Sequence, residues 1–420
     1  MKLSSLLLRS FATAALFTVV SSCSENLDSS GVCSVLCPVI GGDVQNITLD
    51  AVVFDTTVNS LSGLGSEPSL LLAARGDTLD TRVVIRFDSL PATFTPANDT
   101  ARPITTVDSA FIQLKVDTLA IKGGGPFDID AYDVDTTAND TSSAAILALF
   151  RPDRLISTQR LVRADLKDTT RYYISNAAVL AKIQAGARLR VGLQVRSVSS
   201  AQIRIASAEG GITPLLSFRA TQDTTTHPLT VSPVSTTPST DKLASSHLTD
   251  YTVVAKSPPP PPPGALAVGG WPPRRVYIRF NIPANIVDST TIVRATLLLN
   301  QIPNPLLDPT DTVFILPQLV LAGPAVTDPT KASQVVADIS SDTAFVRPGD
   351  AGLKSIEMAR AFGIWRTQKP DTLPRAIILK SLAEGNTPLE VRFSSVKDAS
   401  AILRPRLRIS YTSRVPLRIP

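Results

Sequence analysis

Along residues 82 to 88, Arg-Val-Val-Ile-Arg-Phe-Asp, the side chains sort with a period of two. Val83, Ile85 and Phe87 fall on one face, and Arg82, Val84 and Arg86 on the other. This spacing predicts a half-buried strand. The string returns at 275 to 281, where Val276, Ile278 and Phe280 oppose Arg275, Tyr277 and Arg279, so the chain reads as an internal duplication. Neighbouring segments recur in the same order. Ala110, Ile112, Leu114 and Val116 alternate with Phe111, Gln113 and Lys115, and Ala295, Leu297 and Leu299 repeat the spacing. Gln202-Ile203-Arg204-Ile205 returns as Glu390-Val391-Arg392-Phe393. Pro214, Leu216, Phe218 and Thr221 return as Pro405, Leu407, Ile409 and Thr412.

Copy one opens with strand-like Ile47 to Val58, then a Gly/Ser turn and Leu70 to Ala74 ahead of the Arg82 strand, which implies a hairpin. Helical spacing is rare. Ile174 to Gln184, ended by Gly186, is one short apolar-periodic segment; its counterpart is Ser355 to Gln368, with Ile356, Ala359, Phe362 and Trp365 on one stripe. An aromatic on such a stripe predicts a core plug rather than a ligand platform. Gln222 to Ser239, dominated by Thr, Ser and Pro, reads as the interdomain linker. Ser257 to Gly264 holds six consecutive prolines, a polyproline rod of roughly 19 Å, read as stiff loop filler in preference to bait for a partner.

Composition supports an all-β reading: Pro (33) and Gly (21) supply turns, Met is scarce, and Thr, Val and Ile are abundant. The formal charge of +5 comes from 41 basic and 36 acidic residues spread along the chain. Without a Lys/Arg block, nucleic acid is not an expected partner. All three cysteines lie within the first 37 residues, so no disulfide is expected in the body. Cys33 and Cys37 are either a short local disulfide or two free thiols.

Lys2 and Arg9 precede an uncharged run from Phe11 to Val20, which predicts a signal peptide over residues 1 to 22 and an exported protein. Val20-Ser21-Ser22-Cys23 resembles a bacterial lipobox, which implies lipidation of Cys23 and a membrane partner reached through acyl chains. Residues 23 to 45 then form a lipidated, flexible tether. Ser24 after the cysteine favours the outer membrane or cell surface. The sequons at Asn46, Asn98 and Asn139 carry little weight in that setting.

The order of strand, Ser/Gly turn, strand, Ile-Arg-Phe-Asp strand, Ala-x-Leu-x-Leu strand, short helix with Trp and closing Pro-Arg-Leu-x-Ile-x-Tyr-Thr strand resembles the DNRLRE-type domain family of secreted and surface proteins. Phe54 to Leu90 carries the likeness in copy one; Arg275 to Asn281, Ile356 to Lys380 and Arg404 to Thr412 carry it in copy two. Copy one lacks the helix Trp, and the DNRLRE string is absent. The resemblance implies two tandem jelly-roll-like β-sandwich domains, residues 46 to 221 and 240 to 413, each with one short helix. It also implies a likeness to carbohydrate-binding modules, some of which take acidic polysaccharides.

Chemistry-bearing residues are few. His227 and His247 are the only histidines, and neither has a partner nearby in sequence. No G-x-S-x-G, Walker, G-x-G-x-x-G or H-E-x-x-H motif occurs, and Gly123-Gly124-Gly125 reads as a turn. No catalysis and no cofactor is expected. Asp128, Asp130, Asp133, Asp135 and Asp140 could offer oxygens to calcium, but the run alternates like a solvated strand edge. Arginines recur at matching outward positions: Arg86, Arg204 and Arg219, then Arg279, Arg392 and Arg408. If the last strands of the copies neighbour one another, these would form an anion-binding face; solvated surface is the plainer reading. The expectation is therefore a non-catalytic, lipid-anchored envelope protein that binds or scaffolds, with a polysaccharide or another envelope protein as partner. The alternative is a carbohydrate-binding protein or carbohydrate-active enzyme acting on acidic polysaccharide.

Overall fold

The computed structural model describes residues 44–60, 65–96, 100–137, 142–222, 228–236, 238, 247–339, 343–368 and 373–413. Cys23, Cys33, Cys37, Asn98, Asn139, Asp140 and His227, with the expected signal segment and most of the expected tether, lie outside these residues. The fold is all-β: antiparallel strands form two sandwiches, each around its own apolar core.

The first half of the chain contributes β1 (Gln45–Leu49), β2 (Val52–Asn59), β3 (Ser69–Arg75), β4 (Leu79–Phe87), β5 (Val107–Lys115), β6 (Phe127–Asp133), β7 (Leu155–Leu161), β8 (Thr169–Tyr173), helix α1 (Asn176–Gln184), β9 (Leu189–Arg196), β10 (Ala201–Ala206), β11 (Leu215–Ala220) and β12 (Leu229–Val231). The second contributes β13 (Asp250–Lys256), β14 (Ala265–Gly269), β15 (Arg274–Phe280), β16 (Thr290–Ile302), β17 (Val313–Val320), β18 (Gly352–Glu357), helix α2 (Ala359–Thr367), β19 (Ala376–Ser381), β20 (Glu390–Ser394) and β21 (Arg406–Ser413).

In the first sandwich one layer runs β10-β3-β4-β9-β6-β7 and the other β8-β5-β11-β12. Val83, Ile85 and Phe87 of β4 face Ile112 and Phe218 in the core, and α1 buries Val179 and Ile183 against it. The second sandwich repeats the plan. Its long strand β16 pairs with β21 and β18 in one layer, and its last two residues cross to pair with β20 in the other. Trp365 of α2 is buried, with its ring centroid 5.3 Å from that of Phe362 and 5.8 Å from that of Phe280. Helix α2 starts later than the spacing predicts. Ser355 and Ile356 belong to β18, and the Glu357 carboxylate accepts the backbone N–H groups of Met358 and Ala359, which sets the helix start. Besides α1 and α2, three shorter helices occur among the described residues, at Ser143–Leu147, Ala284–Ser289 and Pro329–Ala332, so the expectation of one helix per sandwich is corrected.

The domain boundaries need a larger correction, because the two copies exchange their opening strands. β2 pairs with β15, placing Asp55 opposite Ile278, and β1 pairs with β21. Reciprocally, β13 pairs with β4, placing Asp250 opposite Ile85, and β12 pairs with β11. The first sandwich is therefore built from residues 65 to 256, and the second from 265 to 413 completed by 44 to 60. The expected units 46 to 221 and 240 to 413 each cut through both. Within the expected linker 222 to 239, the described residues Leu229 to Val231 form a strand instead: Leu229 and Val231 alternate within their Thr/Ser/Pro surroundings and extend the layer beside Phe218 and Leu216. The proline run now has a place. It joins Lys256, paired in the first sandwich, to Ala265, paired in the second.

Each exchanged strand is fastened by the same Asp-x-Thr string. Asp55 accepts hydrogen bonds from the Ser395 hydroxyl (2.6 Å) and the Val396 N–H (2.7 Å) beyond β20, and Thr57 Oγ1 accepts from the Ala267 N–H. In the mirror arrangement Asp250 accepts from the Ala208 N–H (2.9 Å) beyond β10, and Thr252 Oγ1 from the Leu71 N–H. Both aspartates are buried. A buried carboxylate without such donors would cost several kcal/mol, so these bonds select where each strand can dock. Further contacts join the bodies: Lys122 pairs with Asp311, the Arg75 guanidinium donates to the Leu306 carbonyl, and the Ser69 hydroxyl donates to Asn386 Oδ1.

Candidate functional site

The six arginines singled out by their spacing do not form one surface. The strands that carry Arg219 and Arg408, β11 and β21, lie in different sandwiches and do not pair. Arg86 is 1 % exposed, not outward, and donates to Asp88 (2.6 Å), which also accepts from Arg190 (3.3 Å). Burial opposes charge on Asp88, but the two guanidiniums hold its carboxyl below the usual range. Arg392 is buried too and, with Arg274, brackets Glu390. Arg204 is neutralised by Asp117, and Arg219 by Asp108 at 2.5 Å. Arg279 is exposed and lies over the Phe54 ring of the exchanged strand, 5.5 Å from its centroid.

Arg408 differs. It is exposed on β21 and makes no hydrogen bond or ion pair with any described residue. Register sets its neighbours: Thr296 of β16 lies opposite on one side and Thr48 of β1 on the other, while Arg294 sits opposite Ser410, one step along the same face. Diagonal neighbours of this kind are roughly 7 to 8 Å apart, within reach of long side chains. Together Asn46, Arg294, Thr296, Ser355, Arg408 and Ser410 line a polar hollow of about 240 Å³. Arg294 is held by one bond, Nε to the Glu357 carboxylate at 3.0 Å, so its terminal nitrogens stay available. Asn46 Oδ1 accepts from the Ser410 hydroxyl at 2.5 Å, so the exchanged strand β1 supplies one wall. Two guanidiniums beside hydroxyl and amide groups suit an anionic, hydroxylated ligand.

Arg294, Asn46, Thr296 and Ser355 escaped sequence reasoning. Asn46 joins only through the exchange, and Arg294 follows a bulge between Ile292 and Arg294 that resets the face read from alternation.

The described members of the aspartate run are committed to cations of the chain rather than gathered around one point. Asp130 is buried and paired with Arg196, Asp133 with Lys182, and Asp135 with Arg188. Among the described residues no group of three or more His, Cys, Asp or Glu side chains is placed to hold a metal ion. His247 Nδ1 lies 3.1 Å from the Ser235 carbonyl. No described helix is long and apolar enough to cross a membrane.

Comparison with known proteins adds little. No protein-family profile and no curated protein sequence matches the chain. Among solved structures, one of infectious bursal disease virus, Gt strain, aligns over 83 % of this chain and 75 % of its own, at 8 % identity with a TM-score of 0.12. A score that low bears on neither fold nor function.

Proposed function

We propose that this is a non-catalytic, lipid-anchored cell-envelope protein whose paired sandwiches bind or scaffold, and that the hollow at Arg408 receives the carboxylate or sulfate of an acidic polysaccharide. The observation that carries the binding half is the uncommitted guanidinium of Arg408 beside the half-committed one of Arg294, in a hollow otherwise lined by hydroxyl and amide groups. Cationic side chains elsewhere in the predicted set are already matched by carboxylates or an aromatic ring, which leaves this position as the one where an external anion meets least competition. The anchor half rests on the lipobox at Cys23.

Retention of a form lacking residues 1 to 23 on acidic and neutral glycan columns tests the binding half. Charge-assisted hydrogen bonds contribute about 1.5 to 3 kcal/mol, so Arg408→Ala with Arg294→Ala should weaken acidic-glycan binding by roughly tenfold or more. Added salt should weaken it as well, since the contacts are exposed. Equal retention on both columns, indifferent to the two substitutions, would refute it. For the anchor, Cys23→Ser should move the full-length protein from the membrane to the soluble fraction with its unfolding transitions unchanged; continued sedimentation with membranes would count against lipidation.

A further inference from the structure

The two fastenings of the exchanged strands differ in charge. Beyond β20 the sequence Ser395-Val396-Lys397 surrounds Asp55, and both Ser395 and Val396 donate to its carboxylate. Beyond β10 the matching positions hold Ser207-Ala208-Glu209 around Asp250. There Ala208 donates, but the Ser207 hydroxyl turns to the Glu67 carbonyl at 2.5 Å. Oδ1 of Asp250 is left buried with no hydrogen-bond donor.

The acidic groups that act on Asp250 are Glu209, the residue next to its donor Ala208, and Glu67, whose carbonyl takes the Ser207 hydroxyl. Glu67 Oε2 is held by the N–H groups of Gly65 and Ser66. Among the other charged groups on the packed strands, Arg82 is turned to Asp80 and Arg204 to Asp117. Arg86, next to Ile85 on β4, is turned to Asp88, and His247, ahead of β13, is turned to Ser235. Two neighbouring carboxylates cannot both be ionised in a buried setting without large cost, whereas one proton between them turns repulsion into a hydrogen bond.

We propose that Asp250 and Glu209 share a proton that latches β13 onto the first sandwich, and that its loss to solvent loosens this strand while the Asp55 fastening keeps β2 in place. The proton sits between Asp250 Oδ1 and a Glu209 oxygen, leaves to water, and no other bond changes. Burial first, and then the Glu209 and Glu67 charges, push the Asp250 carboxyl up to about 7, against the pull of the Ala208 amide. A folded value above the unfolded one, about 4 for Asp, means the stabilisation is complete in acid and is lost as pH climbs through that interval. Burial raises Asp55 too, but there Ser395, Val396 and Lys397 all oppose it.

Hydrogen exchange of the mature chain, corrected for intrinsic rates, reads both strands in one sample. Between pH 5 and pH 7 the protection of Asp250–Lys256 should fall by up to about tenfold per pH unit, while that of Val52–Asn59 changes less. Asp250→Asn should flatten the first profile, as should Glu209→Lys, which copies the other fastening and keeps Asp250 intact if the first variant folds poorly. His247→Gln should leave the profile sloped. Parallel profiles for the two strands, or a slope that survives both Asp250→Asn and Glu209→Lys, would overturn the latch.

Discussion

A chain that begins at residue 61 should retain the unfolding transition of its first sandwich and lose that of its second. Deletion of residues 44 to 60 strips β1 from β21 and β2 from β15, and it removes Asp55 from Ser395 and Val396. It also takes Ala51, Val52 and Val58 out of buried positions and Ile47, Leu49 and Phe54 away from the apolar clusters they pack against. At roughly 1.5 to 3 kcal/mol for each fully buried large side chain, the loss rivals the 5 to 15 kcal/mol that holds a typical domain together. Residues 65 to 256 keep every strand of the first sandwich. Calorimetry should thus show two transitions for the intact chain and one for the truncated chain. Addition of a peptide spanning 44 to 60 should restore the second in a concentration-dependent way. Two unaltered transitions in the truncated chain would mean that the exchanged strands are dispensable.

Asp88→Ala should cost the first sandwich about 3 to 5 kcal/mol, because it removes the carboxylate shared by two buried guanidiniums. Both Asp88 oxygens are used, one by Arg86 and one by Arg190, and the Thr236 N–H adds a third donor. The contrast is Asp153→Ala, which breaks an exposed pair with Arg151 and should shift stability by no more than about 1 kcal/mol. Denaturant titration of both variants reads the difference. The pH dependence has the opposite sign to that of Asp250. Since the folded Asp88 carboxyl lies below its usual range, its contribution is present above about pH 4 and is lost as the solution is acidified further, so the wild-type advantage over Asp88→Ala should shrink in acid. An undiminished advantage at pH 2, or a cost below 1 kcal/mol at neutral pH, would show that the three groups are not acting together.

Much of the strand content was legible in the chain. The alternation of Val83, Ile85 and Phe87 and its recurrence at Val276, Ile278 and Phe280 place those side chains in the two cores, as the pattern implies. Partner choice was not legible, and the reason is physical. In a duplicated chain the edge of β4 and the edge of β15 present nearly the same apolar surface, so β2 fits either by hydrophobicity, and the choice falls to the buried Asp-x-Thr contacts and to connector length. The arginines show a second limit. Alternation sets Arg86 opposite the core face, but that far side of β4 is itself covered: Val84 packs there with Tyr251 and Val253 of the exchanged strand and Ile146 of the short helix. A polar position on a two-period strand faces water only when no further layer lies beyond it. Arg408, on a strand with a bare outer face, is the one of the six for which the simple reading places a free guanidinium in solvent.

The exchange also decides how the molecule carries load. The described chain begins at β1, and β1 and β2 are stitched into the second sandwich, so a pull from the N-terminal side bears first on the far half of the chain. The ladders that resist it, β1 on β21 and β2 on β15, run lengthwise along their partners, and a force along the strand must shear several backbone hydrogen bonds together rather than unzip them singly. The first sandwich, although most of it precedes the second in sequence, is spared that tension until the second yields. Order along the chain and order of mechanical failure are thus reversed.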